Sequence, residues 1–129
     1  MANILVIDDD LATLSLLRRW LTMDGYEFSL AMNGEDGLIA FQTEKPELVF
    51  TDMFMPDMNG EKVIQRIRAM DTDCPIIACS GGGLMMGTDI LANALASGAN
   101  FTLTKPFSHR DLTKVLNQVF GKTSTKREQ

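Results

Sequence analysis

Residues 4–25 read ILVIDDDLATLSLLRRWLTMDG, and this stretch decides the fold class. Residues 4–7 form a short β-branched apolar run that three aspartates stop. Leu11, Leu14, Leu17, Trp20 and Leu21 then recur at helical spacing, and Asp24-Gly25 closes the helix. A buried strand that passes straight into an amphipathic helix is the unit of a parallel sheet, because each parallel crossover needs about a dozen residues.

The unit repeats along the chain. Residues 26–32 predict a second strand, Asn33-Gly34 a turn into a helix near 35–43, and residues 48–50 a third strand ending in Thr51-Asp52. Val63, Ile64 and Ile67 mark a third helix to about Met70, and residues 75–79 a fourth strand. Ile90, Leu91, Ala94 and Leu95 give a fourth helix that stops at Gly98; residues 101–104 give a fifth strand. Leu112, Val115, Leu116 and Val119 give a last helix with Ser108 as its N-cap. Five strands alternating with five helices predict an α/β protein whose parallel sheet is covered on both faces.

Composition agrees. The 129 residues suit one domain, and 45% apolar with 22% charged residues is ordinary globular usage. The net charge of −5 argues against general nucleic-acid binding, which wants a basic patch. No apolar run is long enough to span a bilayer, and MANILVIDDD lacks the basic region of a signal peptide. Cys74 and Cys79 lie five apart in CPIIAC, so on a regular strand they point to opposite faces and do not pair. These features predict a reduced, cytoplasmic protein.

Ligands of open parallel sheets bind beyond the carboxyl ends of the strands. Strand one delivers Asp8 and Asp9 there, strand three Asp52, strand four Ser80, and strand five Lys105 before Pro106. Crowded carboxylates resist ionisation unless a cation compensates them. Hard oxygen ligands suit Mg²⁺, Lys105 offers a compact positive charge, and Ser80 a hydroxyl. Those are the parts of phosphoryl transfer, with a carboxylate as the available nucleophile.

The pieces ILVIDDD, LVFTDMFMPDMNG, PIIACS and TLTKPF, in this order, resemble the response-regulator receiver domain from about Ile4 to Phe120. The resemblance implies a flavodoxin-like, doubly wound five-stranded parallel sheet in the order 2-1-3-4-5, the order of chemotaxis receivers, with five helices. It places a receiver domain at residues 1–120 and leaves 121–129 as a polar tail. It makes Asp52 the phosphoacceptor, with Asp8, Asp9, Asp52 and the Phe54 carbonyl as Mg²⁺ ligands. Ser80 and Lys105 would contact the phosphoryl group, and the Lys105–Pro106 bond would be cis. Its partners would be a sensor histidine kinase or histidine phosphotransfer protein and an unknown downstream protein, with no nucleic acid and no membrane. A monomer is expected, with phosphorylation able to promote a dimer. The chain would be a phosphoacceptor rather than an enzyme.

Three departures stand out. Thr102 occupies the place three before the lysine where receivers carry Tyr or Phe, and Phe101 should point to the other face. Residues 81–87 make a long glycine-rich loop, expected here to carry the conformational signal in place of the aromatic. Nothing follows residue 129, so a stand-alone receiver is expected.

Other readings use the same residues. Asp8 and Asp9 are also good helix caps. Asp8 with Asp10 would suit an aspartate-nucleophile phosphatase, although the Thr13 spacing is off by one. A pseudo-receiver would keep the fold without phosphorylation. Gly81–Gly83 lacks the GK[ST] of a phosphate loop. His109 is expected to be exposed at the start of the last helix. Met53, Met55, Met58, Met85 and Met86 are expected around the rim, more as adaptable surface than as core.

Overall fold

The computed structural model describes residues 3–81 and 87–121. The elements are β1 Asn3–Ile7, α1 Leu11–Met23, β2 Glu27–Ala31, α2 Gly34–Glu44, β3 Leu48–Asp52, α3 Gly60–Met70, β4 Ile76–Ser80, α4 Gly87–Ser97, β5 Phe101–Thr104 and α5 His109–Phe120. All strands pair in parallel in the order β2-β1-β3-β4-β5, the flavodoxin-like order expected.

Strand alternation sorts the core into two layers. Leu5, Ile7, Val49, Ile76 and Ala78 point to the side covered by α2, α3 and α4, where Phe41, Val63, Ile64, Ile67 and Ala94 meet them. Ile4, Val6, Phe50, Ile77 and Cys79 point the other way, onto Leu14, Leu17 and Leu21 of α1 and Leu112 and Leu116 of α5. Strands buried on both faces carry near-continuous apolar runs, and β3 and β4 are buried throughout. The outer strands β2 and β5 are half-buried. Cys74 and Cys79 fall in opposite layers and are unpaired.

Boundaries differ from the sequence expectation where the ladder, rather than hydropathy, sets them. β3 runs two residues further, to Asp52, because Thr51 and Asp52 pair with Ala78 and Cys79 of β4. β4 starts at Ile76: Pro75 has no N–H to give and joins only through its carbonyl, which accepts from Val49 N at 3.0 Å. Its last residue, Ser80, pairs with Thr104 and so stands inside the strand. β2 is shorter, because Tyr26 N bonds back to Leu21 O and closes α1.

Two side-chain expectations are corrected. Met53 and Met55 are core, and Met58 packs against that core, because the chain after β3 folds back under α3 with Gly60 N bonded to Met53 O at 3.0 Å. His109 is not simply exposed: its ring stacks on Trp20 with centroids 5.3 Å apart, and Nε2 lies 2.9 Å from Asp24 Oδ2. Met85, Met86 and residues 82–86 of the glycine loop lie outside the described residues, as does the tail from 122. Among the described residues no helix is long and apolar enough to cross a membrane.

α2 lies so close to β1 that a Cβ on Gly37 would sit 2.5 Å from Ile7 Cδ1. Gly37→Ala should cost about 1–3 kcal/mol in urea unfolding. Gly81→Ala, whose Cβ meets nothing within 4 Å, should be tolerated.

Candidate functional site

The carboxyl ends of β1, β3, β4 and β5 meet at one rim. Asp8 directly follows β1; its N–H donates to Ala31 O at 3.0 Å, which seats it between β1 and β2 and buries it completely. Asp52 is the last residue of β3 and is 4% exposed. Lys105 follows β5, with its N–H on Ser80 O at 2.8 Å and a cis bond to Pro106. Its ammonium stands 3.0 Å from Asp8 Oδ2 and 3.6 Å from Asp52 Oδ1. Asp9 is exposed beside them, and carboxylate oxygens of Asp8, Asp9 and Asp52 lie within 4.8 Å of one another. The structure therefore brings the predicted acids and lysine together.

Ser80 and Phe54 stand differently. Ser80 is fully buried, and its hydroxyl donates to Gly81 O at 3.0 Å, so it turns toward its own chain. Phe54 lies in the loop after β3 with its ring 47% exposed at the rim. Thr102 pairs with Ala78 and faces the α2–α4 layer, half-buried; Phe101 packs into the opposite layer, as strand alternation required. No aromatic therefore occupies the Thr102 position.

Asp10, rather than Asp8 or Asp9, caps α1: its carboxylate accepts from Ala12 N at 3.2 Å and Thr13 Oγ1 at 2.8 Å. Asp8 Oδ1 in turn accepts from Asp10 N at 2.9 Å. This division of labour tells against the phosphatase reading, because the acid it needs is held by the helix start. Gly60 reads in the sequence as loop punctuation, and its packing role is a matter of the fold: a Cβ there would lie 2.4 Å from the Asp52 carbonyl oxygen. Asp57 is the residue the sequence reading missed: both its oxygens accept N–H groups of α2, at Gly34 and Glu35, each at 3.1 Å. Gly60 sits in a recognisable turn, but Asp57's partners are over twenty residues away, beyond any local signal.

Burial and the neighbouring Asp8 charge push Asp52 up to about 6 from 3.8, against the opposing pull of Lys105. Burial also raises Asp8, with its bond from Asp10 and the nearby ammonium working the other way. Lys105 itself is pulled down by burial and more than restored by Asp8 and Asp52, so it stays a cation. One lysine faces two buried acids and a third at the surface, and the site is short of positive charge. Asp8 Oδ2 is sealed from solvent and faces the Lys105 ammonium at 3.0 Å. An all-oxygen cluster of three acids facing one ammonium fits a hard divalent cation.

The family model described as "Response regulator receiver domain" matches residues 4–117. The probable transcriptional regulator ycf27 of Porphyra purpurea is 37% identical over 117 residues, covering 91% of this chain and 46% of the regulator. The transcriptional regulatory protein PrrA of Mycobacterium tuberculosis is 32% identical over 126 residues, covering 95% and 53%. The chain thus spans about half the length of the curated relatives it matches. A CheY-like receiver domain protein from Methanospirillum hungatei superposes with a TM-score of 0.84 at 25% identity, covering 97% of this chain and 98% of that one. Chemotaxis response regulator CheY4 of Vibrio cholerae gives 0.83 at 26%, covering 92% and 98%.

The raised Asp52 carboxyl has a direct consequence for stability. Being near 3.8 when unfolded and about 6 when folded, it binds its proton more tightly in the folded chain. Its contribution is therefore most favourable below about pH 4 and is lost as pH rises through 6. Asp52→Asn should melt with the wild type near pH 4 and above it at pH 7, by about 7 °C for a gain on the order of 2 kcal/mol without divalent cations. Thermal melts from pH 4 to 8 measure the difference.

Proposed function

The chain belongs to the response regulator receiver domain family, and from that membership we propose that it accepts a phosphoryl group on Asp52 from the phosphohistidine of a sensor histidine kinase or histidine phosphotransfer protein. The observation that carries the proposal is the Lys105 ammonium set between Asp8 and Asp52 at the strand ends. Asp52 ends the central strand β3 beside the lysine and, unlike the fully buried Asp8, keeps some exposure at the rim.

In the proposed reaction an Asp52 carboxylate oxygen attacks phosphorus. The oxygen–phosphorus bond forms as the phosphorus–nitrogen bond to the donor imidazole breaks, and the imidazole leaves carrying a proton. Lys105, 3.6 Å from Asp52 Oδ1, offsets charge that gathers on the phosphoryl oxygens. The Ser80 hydroxyl would exchange its bond to Gly81 O for one to the acyl phosphate. Asp8, Asp9, Asp52 and the Phe54 carbonyl would hold Mg²⁺, which would neutralise charge on the transferring group. The bond from Asp10 N to Asp8 Oδ1 would help orient the Asp8 carboxylate for that role.

Under this reading the domain is a phosphoacceptor that assists its own phosphorylation, and it does not turn over as an enzyme. Its output would be a phosphorylation-dependent change in protein binding, or onward transfer of the phosphoryl group. With Thr102 in place of an aromatic, the response would pass through the segment after Ser80 rather than through a ring. The unpaired buried thiols support a reducing, cytoplasmic setting. A second reading of the output is favoured by one observation: relatives about twice as long are named transcriptional regulators. In that reading this domain governs DNA binding by a longer protein.

Incubation with acetyl phosphate and Mg²⁺ followed by intact mass measurement should give one base-labile phosphoryl adduct, absent from Asp52→Asn. Lys105→Ala should slow its formation roughly 10²-fold. An adduct that survives in Asp52→Asn would overturn the assignment.

A further inference from the structure

Asp57 takes no part in the chemistry above and is exposed, yet it joins two elements remote in sequence. Its Oδ1 and Oδ2 accept the first two N–H groups of α2, from Gly34 and Glu35, each at 3.1 Å. These are donors that the helix's own cap does not reach, since Asn33 Oδ1 accepts from Asp36 N at 2.7 Å. The approach is close as well as bonded: a Cβ on Gly34 would lie 2.9 Å from Met58 Cβ. The helix start therefore lies directly against the Asp57 and Met58 side chains. Those bonds hold the Asp57 carboxyl below the ordinary range, so it is a full anion at neutral pH.

The loop that Asp57 belongs to connects β3 with α3. At its start Met53 N donates to Cys79 O at 2.9 Å, and Met53 O accepts from Gly60 N at 3.0 Å. At its end Asn59 caps α3 by accepting from Lys62 N at 2.9 Å. Pro56 restricts the backbone between. Phe54 thus lies between an anchor at Met53 and the Asp57 tie. The tie links the carboxyl end of β3 to that of β2, and β1, which delivers Asp8 and Asp9, is the strand between them.

We propose that Asp57 is a positioning residue: by fastening the β3–α3 loop to the start of α2, it fixes the backbone at Phe54 and thereby sets the affinity of the acidic site for a divalent cation. This rests on the metal-binding reading given above. Asp57 neither binds the ion nor touches the phosphoryl group. It acts through the loop, as a partner outside the ligand set orients a ligand.

The test is calorimetric titration of the whole chain with MgCl₂ alone, using wild type, Asp57→Ala, Asp57→Asn and Asn33→Ala. Asp57→Ala should weaken Mg²⁺ binding roughly tenfold. Asp57→Asn keeps one acceptor oxygen, should fall between, and serves if the alanine variant does not fold. Asn33→Ala removes α2's own cap but leaves the tie, and should bind as the wild type does. With acetyl phosphate, Asp57→Ala should need about tenfold more Mg²⁺ for half-maximal phosphorylation and reach the wild-type rate at saturation. Equal affinity in wild type and Asp57→Ala would overturn the proposal alone, as would equal weakening by Asn33→Ala. No binding by the wild type would overturn the metal reading together with it.

Discussion

The Lys105 ammonium, 3.0 Å from Asp8 and 3.6 Å from Asp52, is the contact on which the rest of the rim depends. Two carboxylates buried at the ends of adjacent strands repel each other, and the sheet gives neither a way to retreat. Asp8 is fixed by the ladder to Ala31, Asp52 by the ladder to Cys79. The lysine makes that arrangement tolerable without fully compensating it, which is why burial still raises both acids. An arrangement left short of one positive charge favours a bound cation or a protonated carboxyl.

That electrostatic shortfall is set up by ordinary packing. β1, β3 and β4 are buried on both faces, so their ends open only toward the loops, and whatever follows the last apolar residue is presented at the rim. Gly60 lets α3 come up against the Asp52 carbonyl, and Gly37 lets α2 come up against Ile7. Apolar burial, worth about 25 cal/mol per Å², supplies the stability against which the local charge repulsion is held. The site is strained electrostatically because the core beneath it is not.

Much of this was legible in the chain. The order of elements, the central strands and the cluster of Asp8, Asp9, Asp52 and Lys105 followed from apolar runs and the polar residues that end them. The Thr102 departure was legible for the same reason: alternation on a strand places Phe101 on the opposite face, and it packs there. The misreadings were of residues whose setting depends on distant segments. Met53 and Met55 looked like loop surface because nothing local tells that the loop folds beneath α3. His109 looked free because Trp20 and Asp24 lie on another helix. Asp57 went unnoticed because its partners begin α2.

The sequence by itself determined which side chains reach the rim, since strand period, helix period and the residues that stop them are local properties of the chain. It also determined the layer each core residue enters, because a strand offers only two faces. Tertiary structure decided the rest: that Lys105 bridges Asp8 and Asp52, that Ser80 turns to Gly81, that Asp10 rather than its neighbours caps α1, and that Asp57 ties the β3–α3 loop to the start of α2. These are choices among partners that local spacing leaves equally available. Only the fixed distances of a packed sheet, within which a charge or an N–H finds one nearest acceptor, select between them.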